Sequence, residues 1–355
     1  MRFRLNQNTI PLLATAVVCA SLFAAGAVRF HDAGFFTARN VINMLSDNAY
    51  LGVVAVGMTF VILSGGIDLS VGSVVALTGV VIGWAVQRRG IHPAVAIPAV
   101  LLGGALFGAG MGALIHFFRL PAFLVTLAGM FLARGLAFLV SLESVALNHP
   151  WYARASDWAI PLGHLGGRRP VGLPLPAVVF VVTLIVGLYV AKMTSFGRNV
   201  YAIGGNENSS LLMGLPVAPT KIGVYALSGF CAALGGVVFT VYTLSADPRS
   251  AVALELDAIA AVVIGGTLLS GGVGHVIGTL LGVLIFAIIQ SLITFQGTLS
   301  SGWTRIAIGL LLFAFIALQR LVAKVSSGGA GWLTRRRRRR EVGVSQRGQE
   351  ADPTC

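Results

Sequence analysis

Apolar residues fall in long unbroken runs along the chain, at about residues 10–28, 50–63, 70–86, 94–117, 121–142, 175–191, 222–242, 256–269, 276–293 and 303–322. Most of these are about 17–25 residues long, the length at which a helix rising about 1.5 Å per residue crosses about 30 Å of hydrocarbon. They are apolar on every face, whereas the strands of a membrane barrel alternate apolar and polar positions in short segments. The pattern predicts an all-α, polytopic transmembrane helical bundle of about 8–10 spans. Two runs, 50–63 and 256–269, are short for a full crossing and are expected as half-helices or re-entrant segments.

Composition sharpens this picture. Of the 355 residues 56% are hydrophobic and 10% charged, and mean hydropathy is +0.87, which excludes a fold surrounded by water. Some of the 45 glycines are spaced by four: Gly104, Gly108 and Gly112, and again Gly274, Gly278 and Gly282. Glycine at that spacing leaves a smooth stripe along a helix, so both ladders are expected at close helix contacts. Cys19, Cys231 and Cys355 show no metal-ligand spacing, and the reading calls for no metal and no cofactor.

Charge assigns the sides. Net charge is +13, and an unbroken Arg run at 335–340 carries much of it. Beside a last span such a run reads as a cytoplasmic anchor facing membrane lipid and not as a nucleic-acid arm, because Lys and Arg are retained on the cytoplasmic side. With Arg2 and Arg4 ahead of the first run, both termini are expected in the cytoplasm, which requires an even number of crossings. Residues 192–221, with Lys192, Arg198 and Lys221, form the other cytoplasmic segment, and residues 143–169 then face outside. The chain divides into a transmembrane domain, 1–322, and a basic tail, 323–355, expected to be disordered.

A weak internal repeat joins the two halves at an offset of 206 residues: Ser64-Gly65-Gly66-Ile67 and Val71-Gly72-Ser73-Val74 align with Ser270-Gly271-Gly272-Val273 and Ile277-Gly278-Thr279-Leu280. Paired Gly-interrupted apolar segments point to broken helices beside a transport path. Asp68 stands between two such runs, where a carboxylate costs several kcal/mol unless hydrogen-bonded or wetted. It is expected either to cap the next helix, together with Ser70, or to line a polar path. Glu255 and Asp257 open the run 256–269 in the same manner, as acids at the positive end of a helix dipole.

Catalytic signatures are missing. Gly65-Gly66-Ile67-Asp68 lacks the Gly-x-Gly-Asp order of an intramembrane aspartyl protease, and there is no His-Glu-x-x-His or Gly-x-Ser-x-Gly. No Gly-x-x-x-x-Gly-Lys-Ser/Thr is present either, so ATP hydrolysis is not expected of this chain. In the loop from Phe196 to Pro216, Asn206 suits an N-cap, Glu207 a first turn, and Gly214 with Pro216 a stop. These predict a short amphipathic helix whose Ser209 and Ser210, beside Leu211, Leu212 and Met213, either seat in a groove of another protein or rest on the membrane surface.

This loop resembles the coupling-helix region of the ribose/galactoside-type ABC importer permeases. The resemblance continues through Tyr225-Ala226-Leu227-Ser228-Gly229, through the stretch from Glu255 to Gly272, and back through the stretch from Gly57 to Ser73. It covers about residues 10–322. Within that family the likeness is greatest to permeases of galactofuranose importers, at Asn148-His149-Pro150, Gly297-Thr298-Leu299-Ser300-Ser301 and Phe315-Ile316-Ala317-Leu318-Gln319-Arg320. The chain departs from the family where Glu207-Asn208-Ser209-Ser210 replaces a common Glu-Ala-Ala, and in its basic tail.

The resemblance implies a permease that supplies a path and no reaction. It implies two cytoplasmic ATP-binding subunits, a periplasmic sugar-binding protein, and a second permease subunit forming a homo- or heterodimer. Coupling to the ATPase would fall on Gly204, Gly205, Asn206, Glu207, Ser209, Ser210 and Gly214. Ser64, Asp68, Ser70, Thr126, Glu143 and Asn148 are candidates for the translocation path, since a neutral sugar needs wet hydrogen-bonding groups. Bulk at Gly204, or charge at Ser209 and Ser210, is expected to spare folding and to weaken docking. An ion-coupled secondary transporter is the alternative, and would need a titrating residue deep in a span.

Overall fold

The computed structural model describes residues 10–163, 171–298 and 302–317. Its helices begin with α1 (Ile10–Arg29), α2 (Ala38–Asp47), α3 (Ala49–Leu63), α4 (Val71–Gly83), α5 (Pro93–Phe117), α6 (Ala122–Val140) and the short α7 (Pro150–Asp157). They continue as α8 (Leu175–Met193), α9 (Ser195–Gly205), α10 (Glu207–Leu212), α11 (Val217–Thr243), α12 (Leu254–Ile264), α13 (Val276–Gln296) and α14 (Gly302–Ala317). The chain up to Gly309 packs as one unit, and the second half of α14 belongs to another. Arg2, Arg4 and the basic tail lie outside the described residues.

Among the described residues seven helices are long and apolar enough to cross a bilayer: α1, α4 with its π-helical end Trp84–Arg88, α5, α6, α8, α11 and α13. An eighth is reached if α2 and α3, bent by 56° relative to each other, act as one broken span. The lower edge of the expected 8–10 thus depends on that pair. The short run at 50–63 is the second leg of the pair, and the run at 256–269 stops as α12 at Ile264, where Gly265 and the left-handed Gly266 turn the chain. At about 16 Å, α12 is too short to span alone.

Apolarity alone does not fix a helix's position in the bundle, because lipid and the protein interior are both apolar. All of α3 except Tyr50 is buried. It is enclosed by α8, α11, α12 and α13. By contrast, α5 and α6 leave Leu106, Leu114, Phe131 and Leu139 exposed, as helices facing lipid do.

Between spans the contacts run through glycine. Along α5, a Cβ at Gly108 would strike the carbonyl of Tyr225 on α11, one at Gly104 would lie 2.6 Å from the carbonyl oxygen of Gly229, and one at Gly112 would lie 2.9 Å from Cα of Ile222. The first glycine ladder is therefore a packing stripe that lets two backbones touch. The second has only two rungs, Gly278 and Gly282 on α13, which face the carbonyls of Gly265 and Ala261. Gly274 precedes α13, which begins at Val276, and folds over Thr267 instead.

Two small ribbons complete the described fold. β1 (Val145–Ala146) pairs antiparallel with β4 (Ser245–Ala246), and β2 (Ala159–Pro161) with β3 (Gly172–Pro174). The first ties the segment after α6 to the end of α11, and the Leu147 N–H adds a bond to the Leu244 carbonyl at 2.9 Å.

Gly108→Leu should lower the stability of the purified protein by at least about 3 kcal/mol, because neither backbone can give way. Gly103→Leu, where a Cβ meets open space, should change it by less than about 0.5 kcal/mol. Thermal unfolding of both variants checks this, and equal midpoints would mean that α5 and α11 are not in backbone contact.

Candidate coupling and translocation site

The segment from Ser64 to Ser70 leaves the helix between α3 and α4. Inside hydrocarbon such backbone must find partners in the protein. Asp68, fully buried, provides them: Oδ1 accepts the Ser70 N–H at 2.9 Å and the Ser70 hydroxyl at 2.6 Å, and Oδ2 accepts the Ser228 hydroxyl of α11 at 2.7 Å. Ser228 lies about 16 Å along α11, which puts Asp68 near half-depth. The Thr126 hydroxyl of α6 donates to the Ile67 carbonyl at 3.3 Å and to the Ala122 carbonyl at 3.0 Å. Ser64 donates to the Val61 carbonyl at 2.8 Å.

Four of the six path candidates, Ser64, Asp68, Ser70 and Thr126, thus gather on one segment. Asp68, Ser70 and Thr126 are buried and bonded to protein; Ser70 is the N-cap residue of α4 but no side chain bonds the N–H groups of its first turn, so Asp68 braces the segment ahead of the helix and does not cap the helix itself. Glu143 and Asn148 are exposed, flank β1, and do not join the cluster.

A second interruption lies between α11 and α12. Leu244, Ala251 and Ala253 there are left-handed at φ 52°, 56° and 66°, a conformation that costs about 1–2 kcal/mol for a residue with a Cβ. Arg134, about 18 Å along α6, pins this segment: Nη1 donates to the carbonyls of Pro248 at 2.6 Å and Ser250 at 2.8 Å. Glu255, in the first turn of α12, acts on Arg134 electrostatically. The starts of α4 and α12 meet at Gly72, where a Cβ would lie 2.7 Å from the Ala251 carbonyl oxygen and collide with the Glu255 carboxylate.

Arg134 is absent from the candidates drawn from the sequence, yet it is the single charged residue in the run 121–142, and that is the signal that finds it. Ser228 gives no such signal, because a hydroxyl in an apolar run is ordinary.

The loop at 192–221 holds two helices, α9 and α10. Asn206 caps α10 as expected, its side chain accepting the Ser209 N–H at 2.9 Å, and Gly214 closes it in the left-handed conformation at φ 73°. Glu207 pairs with Lys221 at 2.6 Å. Ser210 is buried, with its hydroxyl on the Asn206 carbonyl at 2.9 Å, so it faces into the protein and not toward a docking partner. The outer face carries Leu211, Leu212 and Met213, exposed by 59%, 88% and 68%.

Gly204, at the end of α9, differs most from expectation. A Cβ there would strike the Leu63 carbonyl at the end of α3 and lie 2.6 Å from the Gly272 nitrogen. Gly272 itself donates to that Leu63 carbonyl at 2.9 Å. The paired stretches at 64–66 and 270–273, which the internal repeat relates, therefore adjoin in space with the Gly204 backbone wedged against both. Tyr201 adds a bond to the Gly274 carbonyl at 3.0 Å. Bulk at Gly204 would disrupt this junction and could not spare the fold, whereas Gly205 faces open space. Beside the junction lies a cleft of about 760 Å³ reached by Ser64, Gly66 and Tyr225 from the bundle and by Glu207, Asn208 and Leu211 from α10.

A bundle of apolar helices long enough to cross a membrane, interrupted at 64–70 and 244–253, with the end of α9 packed against the 64–66 and 270–273 stretches, defines a polytopic membrane permease. Residues 40–316 match the family described as branched-chain amino acid transport system / permease component, and the chain belongs to that family. It is 52% identical over 316 residues to the inner membrane ABC transporter permease protein YjfF of Escherichia coli (strain K12), covering 88% of this chain and 93% of that one. It is 36% identical to the fructose import permease protein FruG of Bifidobacterium longum, over 91% of this chain and 94% of that one. With the ribose import permease protein RbsC of Escherichia coli (strain K12) the identity is 40%, over 75% of this chain and 81% of that one. All three are named as permease proteins, and the first as an inner membrane ABC transporter permease. No solved structure matches the chain significantly.

Asp68→Ala would leave three buried donors unpaired and should cost about 3–5 kcal/mol, with transport lost. Asp68→Asn keeps an acceptor for Ser70 and lets the Ser228 hydroxyl turn to accept, so it should retain most of both. Uptake and thermal stability of the two variants check this. An Asn variant as inactive as Ala would mean that the charge itself is used.

Proposed function

We propose that the chain is the membrane-spanning subunit of an ATP-driven importer for a monosaccharide, with galactofuranose as its sugar. It works with a cytoplasmic ATP-binding subunit, a second permease and a periplasmic sugar-binding protein, with both termini in the cytoplasm. The observation that carries the reading is the Gly204 junction, where the end of α9, just ahead of α10, touches the end of α3 and the turn at Gly271–Gly272. ABC permease naming among the relatives supports the ATPase partner, and their fructose and ribose names support a sugar. Galactofuranose rests on the likeness at residues 148–150, 297–301 and 315–320.

On this reading α10 offers Leu211, Leu212 and Met213 to a groove on the ATPase, in the helix-in-groove mode. Gly204 then passes the displacement to Leu63 and Gly272 while Asn206, Glu207, Ser209 and Gly214 keep α10 in shape. Sugar moves only if the two states of the path bind it differently, and ATP binding between the partner subunits biases those states. Ser64, Asp68, Ser70 and Thr126 set the position of the inner interruption, and Glu143 and Asn148 serve its outer mouth.

Leu212→Glu combined with Met213→Glu should leave the fold intact, because both side chains are exposed. Association with the ATPase should weaken by about 2 kcal/mol, roughly 30-fold, and ATP-driven uptake should fall with it. Co-purification and uptake of labelled galactofuranose, in competition with ribose, are the measurements. Full uptake without bound ATPase would favour the ion-coupled carrier, and equal competition by ribose would remove galactofuranose as the sugar.

A further inference from the structure

Between α5 and α6 runs a groove of about 500 Å³ lined by apolar residues, among them Leu106, Gly110 and Leu114 of α5 and Leu124, Ala128 and Leu132 of α6. Both helices read as spans and are largely exposed, so the groove opens where acyl chains lie. At its end Leu120 lines both this groove and the polar cleft beside α10, so the two are neighbours.

The cleft is basic where they adjoin. His116, Arg119 and Lys221 line it. Lys221 is already neutralised by Glu207 at 2.6 Å. Arg119 has no hydrogen bond or ion pair among the described residues, and it stands in the left-handed conformation at φ 53° on the turn joining the two helices. Phe117, the last residue of α5, and Phe118 beside it are 67% and 69% exposed, apolar surface next to the arginine. A guanidinium presents a planar fork of donors that matches a phosphate in two bonds.

We propose that this is a binding site for one anionic phospholipid, with an acyl chain in the α5–α6 groove and its phosphate on Arg119. A free phosphate would use Arg119 and leave the groove empty. A zwitterionic lipid would fill the groove and bring its own cation to the arginine.

The test is native mass spectrometry of the full-length chain released from nanodiscs of phosphatidylcholine containing a minor share of phosphatidylglycerol. The wild type should retain one phosphatidylglycerol per chain. Arg119→Asn removes the charge but tolerates the left-handed backbone, and should reduce retention at least tenfold. Gly110→Leu, which fills the groove from a position where a Cβ meets open space, should do the same. Gly135→Leu, equally open but off the groove, should retain the lipid. Unfolding of each variant in pure phosphatidylcholine should match the wild type, so that loss of lipid is not loss of fold.

Equal retention of phosphatidylcholine and phosphatidylglycerol would overturn the proposal in favour of unspecific lipid. Protection by soluble glycerol phosphate that survives Gly110→Leu would overturn it in favour of a bare phosphate site. Disulfide formation between two copies of Gly110→Cys in membranes would overturn it by making the groove a protomer contact.

Discussion

Backbone that leaves its helix inside a bilayer has no water to bond with, and most of the architecture answers that constraint. Two segments leave the helix here, at 64–70 and 244–253, and each is held by one charged side chain from within the bundle. Asp68 accepts three hydrogen bonds around the first. Arg134 donates two to the carbonyls of the second. The tasks are opposite: the first segment presents donors and is met by an acceptor, the second presents acceptors and is met by a donor. An apolar helix as thoroughly buried as α3 then supplies the fixed post against which both are set.

The same constraint makes the interruptions the places where the bundle can change shape at low cost. A continuous span exchanges its hydrogen bonds only by unfolding, whereas a segment held by side chains can trade one set of partners for another. The Gly204 junction places α9 and α10 against the ends of α3 and of the 265–275 segment with no side chain between them. Displacement of the short helix cannot be absorbed by a flexible side chain there. By linkage, what the outer partner does to the junction the path also does to the partner.

Much of this was legible in the chain, and the division between what was and what was not is physical. Span positions follow from run length, the Asn206 cap and Gly214 stop from local turn chemistry, and the α5–α11 stripe from glycine spacing, all properties of neighbouring residues. The pairing of the 64–66 and 270–273 stretches was visible as a repeat, but their contact with each other through Gly204 depends on residues far apart in sequence. Ser210 was assigned to a docking face because small residues suit a groove; its burial is set by the turn that folds Leu215 back on it. Arg134 is legible from its isolation as the single charge in the apolar run 121–142. Ser228 was not legible, since only the fold tells which hydroxyl meets a carboxylate.

The central proposal is that the α9–α10 pair, the 64–70 segment and the 265–275 segment move as one unit through Gly204. Hydrogen–deuterium exchange of the assembled transporter, with and without ATP, follows residues 64–70 and 265–275 directly. In the wild type, protection of both segments should change together when ATP is added. In Gly204→Ala, the mildest substitution that loads the contact, the two should change unequally or not at all while the ATPase remains bound. Coupled change that is unaffected by Gly204→Ala, or a wild-type response confined to one segment, would contradict the account.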